Sequence, residues 1–259
     1  MPYRRLPNTD NARIRSLKTA IEKMSASRDA NIIKFDVISL ETMLRNFENA
    51  QLMYKQSLEK QAAENRKLQK LVKNARLYVS HFIQVLNLCI ARGEIKKDVR
   101  SFYNLEVDSQ AVPDLATNEA LLTWGEDIIK GENLRIQNGG APIYNPTIAR
   151  VNVAYSQFKD GYFTQRTFQS TTARHLETLS QQREDIDKAL CSLWNQIEAF
   201  FADLESEEKL ERCKDFGIIY YLRRSEKEPQ EGEEEVPDDI PREKPKPGNI
   251  QLNFMYDDD

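Results

Sequence analysis

The sequence is poor in the residues that make turns and hold metals. Its 259 residues include 9 glycines, 10 prolines, 3 cysteines and 2 histidines. An all-β fold needs turn residues at every hairpin, so their scarcity beside 30% charged residues predicts an all-α chain. At this length, and with 40% hydrophobic residues, the chain can bury a substantial core.

Long apolar runs are also missing. The first twenty residues carry charges without the apolar segment of a signal peptide, and no stretch approaches the roughly 18 uncharged apolar residues of a membrane span. We therefore expect a cytoplasmic protein with no membrane contact. Cys89, Cys191 and Cys213 are widely spaced, which is typical of reduced core thiols rather than of a disulfide framework.

Motifs that carry catalytic chemistry are lacking as well. The sequence has no Gly-x-Ser-x-Gly, no P-loop and no Cys-x-x-Cys. His81 and His175 have no carboxylate three positions earlier, so the Glu-x-x-His signature of di-iron helical bundles is absent. We therefore expect no enzymatic activity, no catalytic residue, no cofactor and no metal.

What the sequence does contain is two long heptad patterns. One follows the candidate N-cap Asp36 and runs from Leu40 to Gly93, and the other follows Asn145 and Pro146 and runs from Val151 to Leu204. In each, 12 of 16 positions at alternating steps of three and four are apolar. Each pattern predicts a helix that, if unbroken, is roughly 85 Å long.

The two patterns share a phase at an offset of 111 residues, and each follows a shorter helical pattern, at 10–24 and 118–136. We interpret this as a tandem duplication, covering about 8–107 and 118–218, although any two heptad helices can be brought into phase. The predicted fold is an elongated antiparallel helical bundle over residues 1–224, with two long and two shorter helices.

Both heptad patterns turn polar near their middles. The polar residues of this layer are Gln51, Gln61, Asn65, Gln165, Gln169 and Thr172. If the long helices run antiparallel about their centres, these side chains meet. Buried amides at such positions usually fix the register of two helices, and the alternative is a ligand pocket around Gln61 and Gln169.

Two glycines, Gly125 and Gly131, lie inside the second short helical pattern, where each costs about 1 kcal/mol relative to alanine. This cost indicates close approach by another backbone. The residues that follow, 138–142, are Asn-Gly-Gly-Ala-Pro, which predicts a helix stop and a turn rather than a phosphate-binding loop.

The C-terminal region differs from the rest of the chain in composition and sequence pattern. Residues 216–224 are strand-like, 225–249 form an acidic, proline-rich segment that we predict to be a disordered linker, and 250–259 alternate apolar and polar residues. The last segment either pairs with 217–223 in a small C-terminal two-stranded β ribbon or acts as a tethered recognition peptide. The candidate partner-binding residues of that peptide are Phe254, Tyr256, Asp257, Asp258 and Asp259.

Charge is distributed unevenly. Residues 1–100 hold 20 basic and 10 acidic side chains, whereas residues 225–259 hold 4 basic and 12 acidic ones. A basic face on the first long helix is a candidate anion-binding site; we use that name for Arg66, Lys67, Lys70, Lys73 and Arg76. Such a face is either simply solvated or contacts nucleic acid, with the acidic tail as competitor.

The function that this sequence favours is that of a non-enzymatic helical interaction or scaffold protein with a protein partner. A nucleic-acid-associated protein is the alternative. Long helices also leave apolar stripes that a homodimer would cover.

Overall fold

The computed structural model describes residues 3–26 and 36–221. They fall into two compact units, one of residues 4–219 and a small one of which Tyr3, Tyr220 and Tyr221 are described. The elements in chain order are β1 (Tyr3–Arg4), α1 (Asp10–Ala26), α2 (Val37–Ala91), a 3₁₀ helix (Lys97–Tyr103), α3 (Asn118–Gln137), α4 (Ile148–Phe200), α5 (Ser206–Asp215) and β2 (Tyr220–Tyr221). The predicted all-α class is confirmed.

Both long helices are continuous, with 55 residues in α2 and 53 in α4. The side chain of Asp36 accepts a hydrogen bond from the amide of Ile38 at 3.1 Å, which confirms the predicted N-cap of α2. The prediction of Asn145 as the N-cap of α4 is wrong. Thr147 takes that place because its backbone is extended and its hydroxyl accepts from the amide of Arg150.

The helices α2 and α4 run antiparallel and form the core of the larger unit. Near the middle, Leu68 and Leu71 lie against Gly161. Towards one end Tyr78 lies near Arg150. Because residue numbers rise along α2 where they fall along α4, the two helices are antiparallel. Large side chains of this seam are fully buried, among them Phe47, Phe82, Phe158, Leu190 and Trp194.

The short helices α1 and α3 lie against opposite ends of the α2–α4 pair. The first residues of α1 lie about a quarter of the way along α2, because Gln51 Nε2 donates to Asn11 Oδ1 at 3.0 Å. The start of α3 likewise lies about a quarter of the way along α4, because Tyr162 donates to Glu119 Oε1 at 2.8 Å. Farther along α3, Tyr155 bonds the carbonyl of Leu122. Both short helices therefore begin on either side of the centre of the pair and run outward towards its ends.

Both short helices also lie on the same side of the pair. At 100° per residue, the long-helix side chains that bond α1 and α3 lie on one side of the seam. Three shallow grooves of about 300, 340 and 520 Å³ lie on the opposite side. Residues that line them include Asn46, Tyr78, Val153, Thr178 and Gln182. We call this the uncovered side.

A two-stranded antiparallel sheet joins β1 and β2. The rings of Tyr3 and Tyr221 lie 6.2 Å apart between centroids. The predicted strand around 217–223 is thus present as Tyr220–Tyr221, and its partner is the N-terminal strand. Residues 225–249 and 250–259 lie outside the described residues. In the described residues no helix has the length and apolar character needed to cross a bilayer.

Candidate functional site

The middle of the α2–α4 pair is exposed on the side that carries α1 and α3. Because α1 begins beside Gln51 and α3 begins beside Tyr162, no third helix of residues 3–26 and 36–221 covers a stretch of roughly 25 Å between them. We call it the central window. The side chains on this stretch are Leu58, Gln61, Asn65, Gln169 and Leu176.

The central window exposes apolar surface that the seam buries elsewhere. Leu58 and Leu176 are each 37% exposed, whereas Phe47 beneath α1 and Phe82 beneath α3 are fully buried. All four are heptad positions of the same two patterns. Because the heptad pattern continues through all four, the two leucines are exposed for want of a third helix among the described residues and not through a change in the pattern.

The residues of the predicted polar layer lie in this window or beside it, and they are half-buried, exposed or buried. Gln61 and Asn65 are half-buried, Gln169 is exposed, and none of the three makes a hydrogen bond within residues 3–26 and 36–221.

Gln51 lies at the edge of the window and bonds Asn11. Gln165 and Thr172 are buried, with Gln165 Oε1 unpartnered in the described part of the chain and the Thr172 hydroxyl donating to the carbonyl of Phe168. The ligand pocket that would have signalled an enzyme is not among the grooves described above, none of which includes Gln61 or Gln169.

Ion pairs hold α1 at its edge of the window. Arg183 binds both carboxylate oxygens of Asp10 at 2.7 Å, and Arg13 binds both oxygens of Asp187 at 2.8 Å. These hydrogen bonds are the main cause that raises the pKa of both guanidinium groups, so both arginines stay charged at neutral pH.

At the other edge Tyr162 links α4 to α3. Its hydroxyl donates to Glu119 and accepts from Arg166 Nη1 at 3.0 Å. The hydrogen bond from Tyr162 is the main cause that lowers the pKa of Glu119. Both edges of the window are therefore fixed by charged or polar contacts between a short and a long helix.

The predicted basic face is divided by the structure. Lys67 pairs with Glu64 at 2.6 Å, and Arg76 Nη2 donates to the carbonyl of Ala116 at 2.8 Å. Arg66, Lys70 and Lys73 are exposed on the outer face of α2, and within the described ranges none of them has a hydrogen bond or an ion pair. Three of the five cations therefore remain available to an anionic partner.

A buried polar cluster of Tyr103, Glu132 and Arg135 lies away from the window, at the α3 end. Glu132 and Tyr103 are fully buried and Arg135 nearly so. Arg135 binds both carboxylate oxygens of Glu132 at 2.8 Å, and Tyr103 donates a short hydrogen bond of 2.5 Å to the same carboxylate. The sequence analysis missed this cluster, for which the Glu-x-x-Arg spacing in α3 was the available signal.

The cluster also fixes the Gly-rich turn. Glu132 Oε1 accepts from the amide of Ile143 at 3.1 Å, and Arg135 Nη2 donates to the carbonyl of Ala141 at 2.7 Å. A Cβ on Gly140 would lie 2.7 Å from Arg135 Nη1. The side chain of Arg135 therefore occupies the concave side of this turn, where a phosphate loop would hold its anion.

Charge and burial compete within this cluster. Burial acts to raise the pKa of Glu132, but the hydrogen bonds from Arg135 and Tyr103 outweigh it, so the pKa of that carboxyl is lowered. Burial is the main cause that raises the pKa of Tyr103. The three groups satisfy one another, and the arrangement is that of a structural ion pair.

Within residues 3–26 and 36–221 no group of three His, Cys, Asp or Glu side chains is placed to hold a metal ion. The candidate partner-binding residues Phe254, Tyr256 and Asp257 to Asp259 lie outside the described residues. No family model, no curated protein and no solved structure matches the chain.

Proposed function

We propose that this chain is a non-enzymatic helical interaction protein and that its acidic C-terminal segment contacts a protein partner. The observation that supports the proposal best is the placement of α1 and α3 on one side of the long helices. That placement leaves the other side without a covering helix from the described part of the chain. A partner protein has a long helical surface available there.

The uncovered side has the mixed character of a protein-binding surface rather than that of a missing core. Met53 and Val153 are 52% and 59% exposed, and they alternate with amides such as Asn49, Asn74 and Gln157. Apolar side chains surrounded by hydrogen-bonding groups are typical of interfaces that form and dissociate.

The test is affinity capture from native lysate with three baits. These are the full chain, a chain that ends at Arg224, and a full chain with Phe254→Ala and Tyr256→Ala. Captured proteins are identified, purified and tested again for direct binding to each bait. We expect a directly binding protein that the full chain retains and both variants lose. Equal retention of that protein by all three baits would refute a role for the C-terminal segment.

A second candidate function, contact with nucleic acid, is favoured by Arg66, Lys70 and Lys73, which have no partner in the described part of the chain. Three phosphate contacts predict that the logarithm of the binding constant falls with the logarithm of salt concentration with a slope of about −3. The acidic tail acts as competitor, so a chain that ends at Arg224 binds more tightly.

The matched comparison for nucleic acid replaces these three residues with glutamine in one variant and Lys18, Lys97 and Lys130 in another. The control lysines are exposed but paired with Glu48, Asp108 and Glu126. Loss of duplex binding in the first variant alone supports this function. Equal loss in both variants shows that only the net charge matters and argues against a site on α2.

A further inference from the structure

The amides in the central window have unused hydrogen-bonding capacity. Gln61, Asn65 and Gln169 make no hydrogen bond within the described ranges, and each side chain has both a donor and an acceptor. A helix laid across the window would already have satisfied its own backbone groups. An extended peptide presents free N–H and C=O groups along its length, so the amides match an extended peptide better.

The apolar part of the window also matches such a peptide. Leu58 and Leu176 are 37% exposed in a stretch of roughly 25 Å without a covering helix. In residues 250–259 the side chains of Ile250, Leu252, Phe254 and Tyr256 are two residues apart, so they share one side of an extended chain. From the first to the last they span roughly 20 Å, which fits the length of the window.

Charge favours an acidic occupant. The N-termini of α1 and α3 both lie at the window, and a helix N-terminus carries a partial positive charge. Arg66, Lys70 and Lys73 lie on the adjoining outer face of α2 without partners in the described chain. Residues 257–259 are three aspartates at the end of the chain, which is a complementary charge.

The length of the chain allows the same molecule to supply this peptide. Gly217 lies against Ser16 and Thr19, about two turns along α1 from its start at the window. Thirty residues separate Ile219 from Ile250. The sequence predicts most of this segment to be a disordered linker, and a disordered chain of about thirty residues has a root-mean-square span of roughly 30 Å, so the effective concentration of the peptide at the window is on the order of millimolar.

We propose that the central window is a peptide-binding site and that the C-terminal segment of the same chain, residues 250–259, occupies it in an extended conformation. Leu58 and Leu176 contact its apolar side chains, and Gln61, Asn65 and Gln169 bond its backbone. The cations of α2 and the partial positive charge of the α3 N-terminus, which lie at the same end of the window, bind its aspartates. This inference concerns the chain without a partner and goes beyond the proposed function. A protein that binds the segment has to displace it from the window first.

The test is amide hydrogen exchange of residues 250–259, followed by mass spectrometry, in the purified full chain and in a synthetic peptide of that sequence. We expect exchange at least tenfold slower in the full chain. Leu58→Ser combined with Leu176→Ser removes this protection. The matched control, Leu77→Ser with Leu134→Ser, changes two exposed leucines outside the window and keeps it. Equal rates in the full chain and the peptide overturn the proposal.

A second variant tests the charge without changing the bundle. Replacement of the three terminal aspartates by asparagine is expected to reduce the protection at least threefold. No change in protection overturns the charge contribution and, with an unchanged leucine variant, the whole proposal. Protection that rises with protein concentration assigns the site to the segment of a second copy and overturns the same-chain arrangement. Partner capture without protection of the segment leaves the proposed function standing while this inference fails.

Discussion

At the scale of single residues, Glu132 makes the most consequential contacts in the described chain. Its carboxylate receives hydrogen bonds from Arg135, from Tyr103 and from the amide of Ile143, and it is fully buried. It thereby joins α3, the 3₁₀ helix and the turn before α4. A buried ion pair adds little net stability when intact but is costly to break, because the remaining charge is left uncompensated.

We therefore predict that Glu132→Gln lowers the free energy of unfolding by about 3 to 5 kcal/mol. The shape of the side chain is kept, so the loss reports the charge and its hydrogen bonds. Glu126→Gln is the matched control in the same helix, since Glu126 pairs with Lys130 at the surface and solvent screening makes the loss of that pair much less costly. Urea unfolding at neutral pH measures both, and equal effects would contradict the assignment of Glu132.

The pH dependence of stability gives a second prediction for Glu132. Its pKa in the folded chain is lowered, so the stabilisation it provides is present above the pKa of the unfolded chain and is lost as pH falls through the folded value. The difference in unfolding free energy between the natural chain and Glu132→Gln should therefore shrink progressively below about pH 4.5. Urea midpoints from pH 7 down to pH 3 measure this difference. A difference that stays constant over that range is incompatible with the prediction.

At the scale of helices, the two glycines of α3 are explained by tertiary packing, which helix propensity does not include. A Cβ on Gly131 would lie 2.6 Å from the carbonyl oxygen of Phe102, so the predicted close backbone approach is confirmed there. At Gly125 the neighbour is the ring of Tyr155 rather than a backbone. Glycine at these positions permits α3 to pack closely on the 3₁₀ helix and on α4.

We predict opposite outcomes for two glycine-to-alanine changes. Gly131→Ala should lower the free energy of unfolding by about 1 to 3 kcal/mol, because the Phe102 carbonyl cannot move away easily. Gly161→Ala in α4 should be neutral or stabilise by up to about 1 kcal/mol, because its neighbour is the flexible end of Leu71 and alanine has the higher helix propensity. Thermal or urea unfolding compares the two. Stabilisation by Gly131→Ala would refute the close contact.

The predicted duplication remains a prediction, although one pair of contacts supports it. Gln51 bonds Asn11 in the first half, and Tyr162 bonds Glu119 in the second. The long-helix positions are 111 residues apart and the short-helix positions 108 apart. In both halves, therefore, a side chain at the same heptad position of the long helix bonds the second residue of the short helix.

The sequence predicts where the long helices lie along the chain more reliably than it predicts which elements pack against them. Heptads and Asp36 give α2 almost to the residue, because periodicity and capping are local signals. The cap at Thr147 depends on the backbone after Pro146, and the partner of β2 is over two hundred residues away. Sequence also placed Gln61 in the seam without showing that no third helix covers it. The central window follows from where α1 and α3 begin, which is a tertiary property.

At the scale of the whole larger unit, stability should vary along the long helices. Segments beneath α1 and α3 are packed by three helices, whereas the central window is packed by two. We predict that amides of residues 55–64 and 167–176 exchange with solvent faster than those of 78–87 and 151–160, because local opening exposes less buried surface there. Native-state hydrogen exchange measures this. Uniform protection along α2 and α4 would contradict it.

The two ends of the larger unit also differ in the sequence separation between the residues that contact each other. At the α3 end, Tyr103 and Glu132 are 29 residues apart, and Glu119 and Tyr162 are 43 apart. At the α1 end, Arg13 and Asp187 are 174 residues apart, and Arg4 and Glu198 are 194 apart. During synthesis on the ribosome the α3 end can therefore assemble while the rest of α4 is still being made, whereas α1 has to wait for nearly the whole of α4. A nascent chain stalled before residue 180 has α2 available to pack against α1 but lacks the ion-pair partners of Asp10 and Arg13, so α1 is held by fewer contacts than in the complete chain.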